Sequence, residues 1–140
     1  MPTTISAPVG QIDLAPTFCE IAGVPVPDWM QGQALPLDET TASAQERDSV
    51  FTEWDSVYTD GTEVSLRTLY KDGYIITAYN KSNIYDGTEG ELYNLAEDPN
   101  QWVNIWDDPA AASLKQDLLT ALADARPPAR EPKLDWVAIV

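Results

Sequence analysis

The sequence predicts an α+β fold: a four-stranded antiparallel β-meander packed with a C-terminal helix, preceded by an N-terminal helix and a long loop. Three observations predict it. Asp60-Gly61, Asp72-Gly73 and Asp86-Gly87 punctuate a stretch rich in β-branched and aromatic residues, and Asp-Gly suits tight hairpin turns, whose central residues need positive φ. Apolar residues recur at helical spacing before that stretch and again after it. Between the first helix and the first strand, Val24 to about Glu46 is proline-rich and then polar. Connections of that length are usually functional or wrapped over another surface.

The first element is carried by IDLAPTFCEIAGVPVP. Asp13 is placed to cap it, and Pro16 is tolerable because first-turn amides lack helical partners. Leu14, Phe18, Ile21 and Ala22 form one stripe of an amphipathic helix. Gly23 supplies a left-handed stop, and Pro25 and Pro27 forbid continuation. The strands are predicted over Ser49 to Tyr58, Val64 to Tyr70, Tyr74 to Tyr79 and Glu91 to Leu95. On the second of them Val64, Leu66, Thr68 and Tyr70 share a face and Arg67 lies on the other. Asp98-Pro99 suggests a short helical turn over Asn100 to Asn104. Asp108-Pro109, a cap followed by proline at the first helical position, opens the last helix. Its apolar stripe is Leu114, Leu118, Ala121, Leu122 and Ala125, and Pro127-Pro128 ends it, leaving Ala129 to Val140 as an arm or an added edge strand.

With 8 basic and 23 acidic residues the net charge is −15. That balance excludes nucleic acid and anionic membranes as partners, because phosphate contacts need clustered Lys and Arg. The single cysteine, Cys19, reads as a small buried apolar side chain. There is no histidine, which removes the commonest general base and metal ligand. No signal peptide or transmembrane segment is expected, and the compartment is left open.

Candidate chemistry is sparse. Glu53 with Asp55, and Glu89 with Glu91, are acidic pairs two residues apart, and they read as solvated carboxylates rather than as a catalytic couple. No segment follows the calcium-loop pattern or the G-x-S-x-G nucleophile pattern. Trp29, Trp54, Trp102, Trp106 and Trp136 could offer an aromatic platform to a sugar, although packing is the commoner role for tryptophan.

Three segments carry a family resemblance. Ile12 to Leu35 is similar to a helix of pattern D-L-x-P-T followed by A-G and an M-Q-G loop. Leu66-Arg67-Thr68 with Lys71-Asp72-Gly73-Tyr74 resembles an R-T strand pair. Gly90 to Pro99, followed by Asn104-Ile105, resembles E-L-Y-D-L-x-x-D-P with a later N-L. Together they resemble the C-terminal region of an arylsulfatase-type sulfatase of the alkaline phosphatase superfamily. Departures are small: Asn94 stands where Asp is usual, Gln101 where Glu is frequent and Gln33 where Arg is common.

The resemblance implies a division into 1–46, the helix and loop that end the catalytic domain, and 47–140, the C-terminal subdomain. It implies a parent that hydrolyses sulfuric esters with a formylglycine and a divalent metal such as calcium, both held outside this chain. Cys19 lacks the Pro and Arg of the Cys/Ser-x-Pro-x-Arg nucleophile motif, so no catalytic, cofactor or metal residue is assigned here. Trp29, Met30 and Trp102 are candidates for the substrate rim or an interface. Leu14, Phe18 and Ile21 are expected to form an exposed interface helix whose partner is the missing catalytic domain or, in isolation, a second copy of the chain. Two alternatives stand beside this: a parent acting on phosphate or phosphonate esters, and a free-standing acidic binding module using Trp29 or Trp102.

Overall fold

A computed structural model describes residues 7–38 and 47–128. The expected arm at Ala129 to Val140, Trp136 and the polar part of the long loop lie outside the described residues. A 3-10 turn over Gln11–Asp13 leads into helix α1, Leu14–Ala22, which Gly23 stops with a φ of 67°. Strands β1 (Ser49–Val57), β2 (Glu63–Lys71), β3 (Tyr74–Tyr79) and β4 (Gly90–Asn94) follow. Helix α2, Ala112–Ala125, closes the described chain after a 3-10 turn at Pro109–Ala111, whose N-cap Asp108 accepts the Ala110 amide at 2.8 Å.

The sheet is an antiparallel meander in the order β1-β2-β3-β4. Asp72 and Gly73 take φ of 51° and 81°, so the β2–β3 hairpin has the doubly left-handed turn that Asp-Gly favours. Register places Phe51, Leu69, Ile76 and Leu92 in one row across all four strands. Leu118 and Leu122 of α2 join that row in the core, with Trp106 at its border. Pairing extends to β4's outer edge through Asn104, whose side chain accepts the Leu92 amide and donates to the Gly90 carbonyl, both at 3.0 Å. Unpaired strand edges invite foreign strands, and here a side chain covers one of them.

The face of β2 that α2 covers is the one bearing Arg67 and Leu69: Leu69 is buried in the core cluster with Leu118 and Leu122, whereas Leu66 and Tyr70, on the other face, are only half-buried. Two expectations change. No helical turn forms over Asn100 to Asn104. The Asp98 carboxylate takes the Val103 amide at 2.9 Å instead, and Gln101 is left-handed with φ of 56°. An acceptor so placed competes with helix formation for the same amides. Cys19 is half-buried rather than buried.

Candidate functional site

Asp13 was expected to cap α1, and its side chain does not do so. It is fully buried, and its two carboxylate oxygens gather donors from three separate segments. Gly10, ahead of the helix, donates its amide to Oδ2 at 2.8 Å. Gln33, in the loop that follows α1, donates its amide to Oδ1 at 2.9 Å. Arg47, just before β1, grips both oxygens, with Nη2 at 2.9 Å from Oδ1 and Nη1 bonded to Oδ2. Burial alone would raise the Asp13 carboxyl, but Arg47 and the two amides outweigh it and hold the group below the usual carboxylate range.

A second tie runs beside this one. The Thr17 hydroxyl donates to the Asp13 carbonyl at 2.5 Å and accepts the Leu35 amide at 2.8 Å. Gly32 precedes both ties, and a Cβ there would overlap the Ile12 carbonyl oxygen. Only glycine lets the loop backbone run this close to the start of the helix.

Asp13, Pro16 and Thr17 are therefore the buried face of α1, while Leu14, Phe18 and Ile21 are 45%, 64% and 64% exposed. The polar motif residues point into the protein and the apolar stripe points out. Of the candidate rim residues, Trp29 is 56% exposed and Met30 half-buried in the loop after α1. Trp102 is 83% exposed on the Asp98 turn after β4. Trp29 and Met30 share the loop after α1, whereas Trp102 sits on a separate turn after β4.

The acidic pairs are not merely solvated. Glu53 and Asp55, on edge strand β1, both engage Arg67: Nη1 and Nη2 meet Asp55 at 3.0 and 2.9 Å, and Nε lies 3.2 Å from Glu53. The carboxylates stay about half exposed and the guanidinium is nearly buried. The Arg67 bond, aided by Ser65, keeps the Asp55 carboxyl below its ordinary value. Glu89 accepts the amides of Gly87 and Thr88, and Glu91 accepts the Tyr79 hydroxyl at 2.6 Å. Burial and then that carboxylate keep the Tyr79 phenol protonated far above its usual range. Each acidic pair thus has a structural use. Among the described residues no group of three or more His, Cys, Asp or Glu side chains could hold a metal ion, and no helix is long and apolar enough to cross a membrane.

Residues 2–127 match the family described as N-sulphoglucosamine sulphohydrolase, C-terminal. The chain belongs to this family. It is thus a sulfatase C-terminal domain, and solved structures agree. A structure from Bacteroides thetaiotaomicron assigned to the sulfatases is 28% identical, with a TM-score of 0.64 over 80% of this chain. A 2-O GAG sulfatase matches with the same identity, TM-score and coverage. The phosphonate monoester hydrolase of Agrobacterium radiobacter, 24% identical with a TM-score of 0.63, shares the fold. In each case the chain spans 23% of the length of the protein it matches. No curated protein sequence matches it.

Within the sulfatase C-terminal domain the recognised motif residues now have physical roles. Asp13 and Thr17 of D-L-x-P-T tie down the M-Q-G loop, Gly32 permits that approach, and Asn104 covers the sheet edge. The missed residue is Arg47. It carries no motif, stands 34 positions from Asp13, and becomes visible only once the fold brings the two together.

Proposed function

We propose that this domain completes a sulfatase-family hydrolase whose catalytic part precedes it and cleaves sulfuric esters. In that protein α1 and its loop would seat the domain on the catalytic part, with Trp29, Met30 and Trp102 contributing to the rim of the substrate pocket. The observation that carries this reading is the inverted helix: α1 buries Asp13 and Thr17 and turns Leu14, Phe18 and Ile21 outward. Such an apolar stripe fits an interface better than water. In the isolated chain the same stripe would pair with a second copy.

Hydrolysis of a sulfuric ester passes through a strongly anionic transition state that needs preorganised positive charge or a metal. The two buried or nearly buried guanidinium groups described here, Arg47 and Arg67, are both engaged with carboxylates. Formylglycine and the divalent metal are therefore proposed for the preceding part, with no residue of this chain as ligand. A parent acting on phosphonate esters is the second reading, favoured by the fold shared with the phosphonate monoester hydrolase.

The test joins sequence and assay. The coding region upstream of Met1 should contain Cys/Ser-x-Pro-x-Arg, and the longer protein should turn over an aryl sulfate faster than a phosphonate monoester. The 140-residue chain should turn over neither. Turnover by the 140-residue chain that survives repurification, or an upstream region without the motif, would overturn the proposal. Preference for the phosphonate would select the second reading.

A further inference from the structure

We propose that Asp13 and Arg47 form a latch that positions the Trp29-to-Leu35 loop against α1 and the start of β1, independently of the sheet core.

The chemistry of a buried carboxylate makes this a single switchable point. Asp13 has no contact with solvent, and its stability in that place depends on the donors that surround it. Those donors come from Gly10, Gln33 and Arg47, so one side chain joins the segment before α1, the loop after it and the approach to β1. The Arg47 fork supplies the positive charge, and its own side chain is only 14% exposed. Removing either partner leaves the other charged and uncompensated, which costs far more than the pair itself contributes.

The loop depends on this point because it has no helix or strand of its own. Its Gln33 and Leu35 amides bond to Asp13 and Thr17, and Gly32 brings its backbone against Ile12. Trp29 and Met30 lie just upstream on the same loop. The buried core, by contrast, is made by Leu69, Ile76, Leu92, Leu118 and Leu122 and their neighbours, none of which belongs to the latch. The latch also crosses the boundary between 1–46 and 47–140, so the element that would present Trp29 to a substrate takes its position from the sheet side. That consequence for the rim rests on the function proposed above; the latch does not.

Amide hydrogen exchange on the full 140-residue chain tests it without any substrate, comparing the unaltered protein with D13N and R47K. D13N keeps the shape and removes the charge, and R47K keeps the charge and removes the fork. In D13N the amides of Gly10, Gln33 and Leu35 should lose protection by roughly tenfold or more, while the amides of β2 and β3 keep theirs. R47K should give the same pattern with a smaller loss. Equal losses in loop and sheet would mean that the pair only adds to global stability, and unchanged loop amides would mean that it holds nothing; either overturns the proposal. If D13N does not fold, the loop-to-sheet ratio in R47K decides by the same two criteria. Because exchange needs no activity, a parent that proves not to be a sulfatase would leave this result standing.

Discussion

The two ends of the described chain are built on opposite plans. The sheet and α2 bury a continuous apolar row, the arrangement by which a domain stabilises itself in water, and the one charged side chain buried there among the described residues, Arg67, is paired with half-exposed carboxylates on the edge strand. The region around α1 buries a carboxylate, a hydroxyl and a guanidinium and leaves Leu14, Phe18 and Ile21 outside. The first plan is complete within this chain. The second holds its shape by directional polar bonds while its apolar side faces away from them. The difference teaches that a motif can be well ordered without contributing to a core.

Truncating the core should have the largest effect. Leu92 is fully buried in one cluster with Ile76 of β3, Leu118 and Leu122 of α2 and Trp106, in the apolar row that also holds Phe51 and Leu69. Leu92→Ala should cost about 2–5 kcal/mol of unfolding free energy, enough to bring a domain of this size near its stability limit. Denaturant unfolding followed by circular dichroism measures it. A loss below about 1 kcal/mol would mean that the sheet–α2 layer is not the self-sufficient half of the comparison.

Acid should separate the two plans next. The Asp13 carboxyl sits below its unfolded value, so its contribution is fully present above about pH 4 and is lost as pH falls through the lower folded value. Below about pH 4 the Gln33 and Leu35 amides should therefore lose exchange protection ahead of those of β2 and β3, and D13N, which has nothing to protonate at this position, should show no such acid-dependent step. Asp55 shifts in the same direction but is more than half exposed, so solvent screens most of its share. The same acid-dependent step in D13N would remove Asp13 from the account.

How much of this could be read from the sequence differs between the same two regions. The meander was legible because its signals are local: Asp-Gly turns, β-branched runs and a capping Asp-Pro lie within a few residues of what they determine. The covered face of β2 was not legible, since Leu66 and Tyr70 look as apolar as Leu69 and only register shows which of them meets Ile76 and Leu92. The turn after β4 was misread because Asp98 bonds forward to Val103 and pulls the backbone out of the helical path. In the N-terminal region local reasoning had a ready answer for Asp13, a helix cap, and no means of finding Arg47. A buried ion pair between residues far apart in sequence leaves no periodicity to detect. The resemblance to sulfatases placed the motif correctly without explaining it, and the geometry explained Asp13, Thr17 and Gly32 one at a time.

The smallest effect on folding is expected where the exposed stripe is changed, and that is what makes it informative. Phe18 is 64% exposed and belongs to neither the core nor the Asp13 cluster. Phe18→Asp should shift unfolding free energy by no more than about 0.5 kcal/mol, as surface substitutions away from buried features do. Its effect on association should be much larger. If a second copy covers the stripe in the isolated chain, sedimentation equilibrium should show a concentration-dependent dimer that Phe18→Asp abolishes, because the new charge would have to be desolvated in the interface. A dimer that persists in the variant would place the contact elsewhere. A monomer at every concentration would leave the stripe without a homotypic partner. A large loss of stability in Phe18→Asp would erase the contrast between the two plans, since the apolar side of α1 would then be supporting the fold after all.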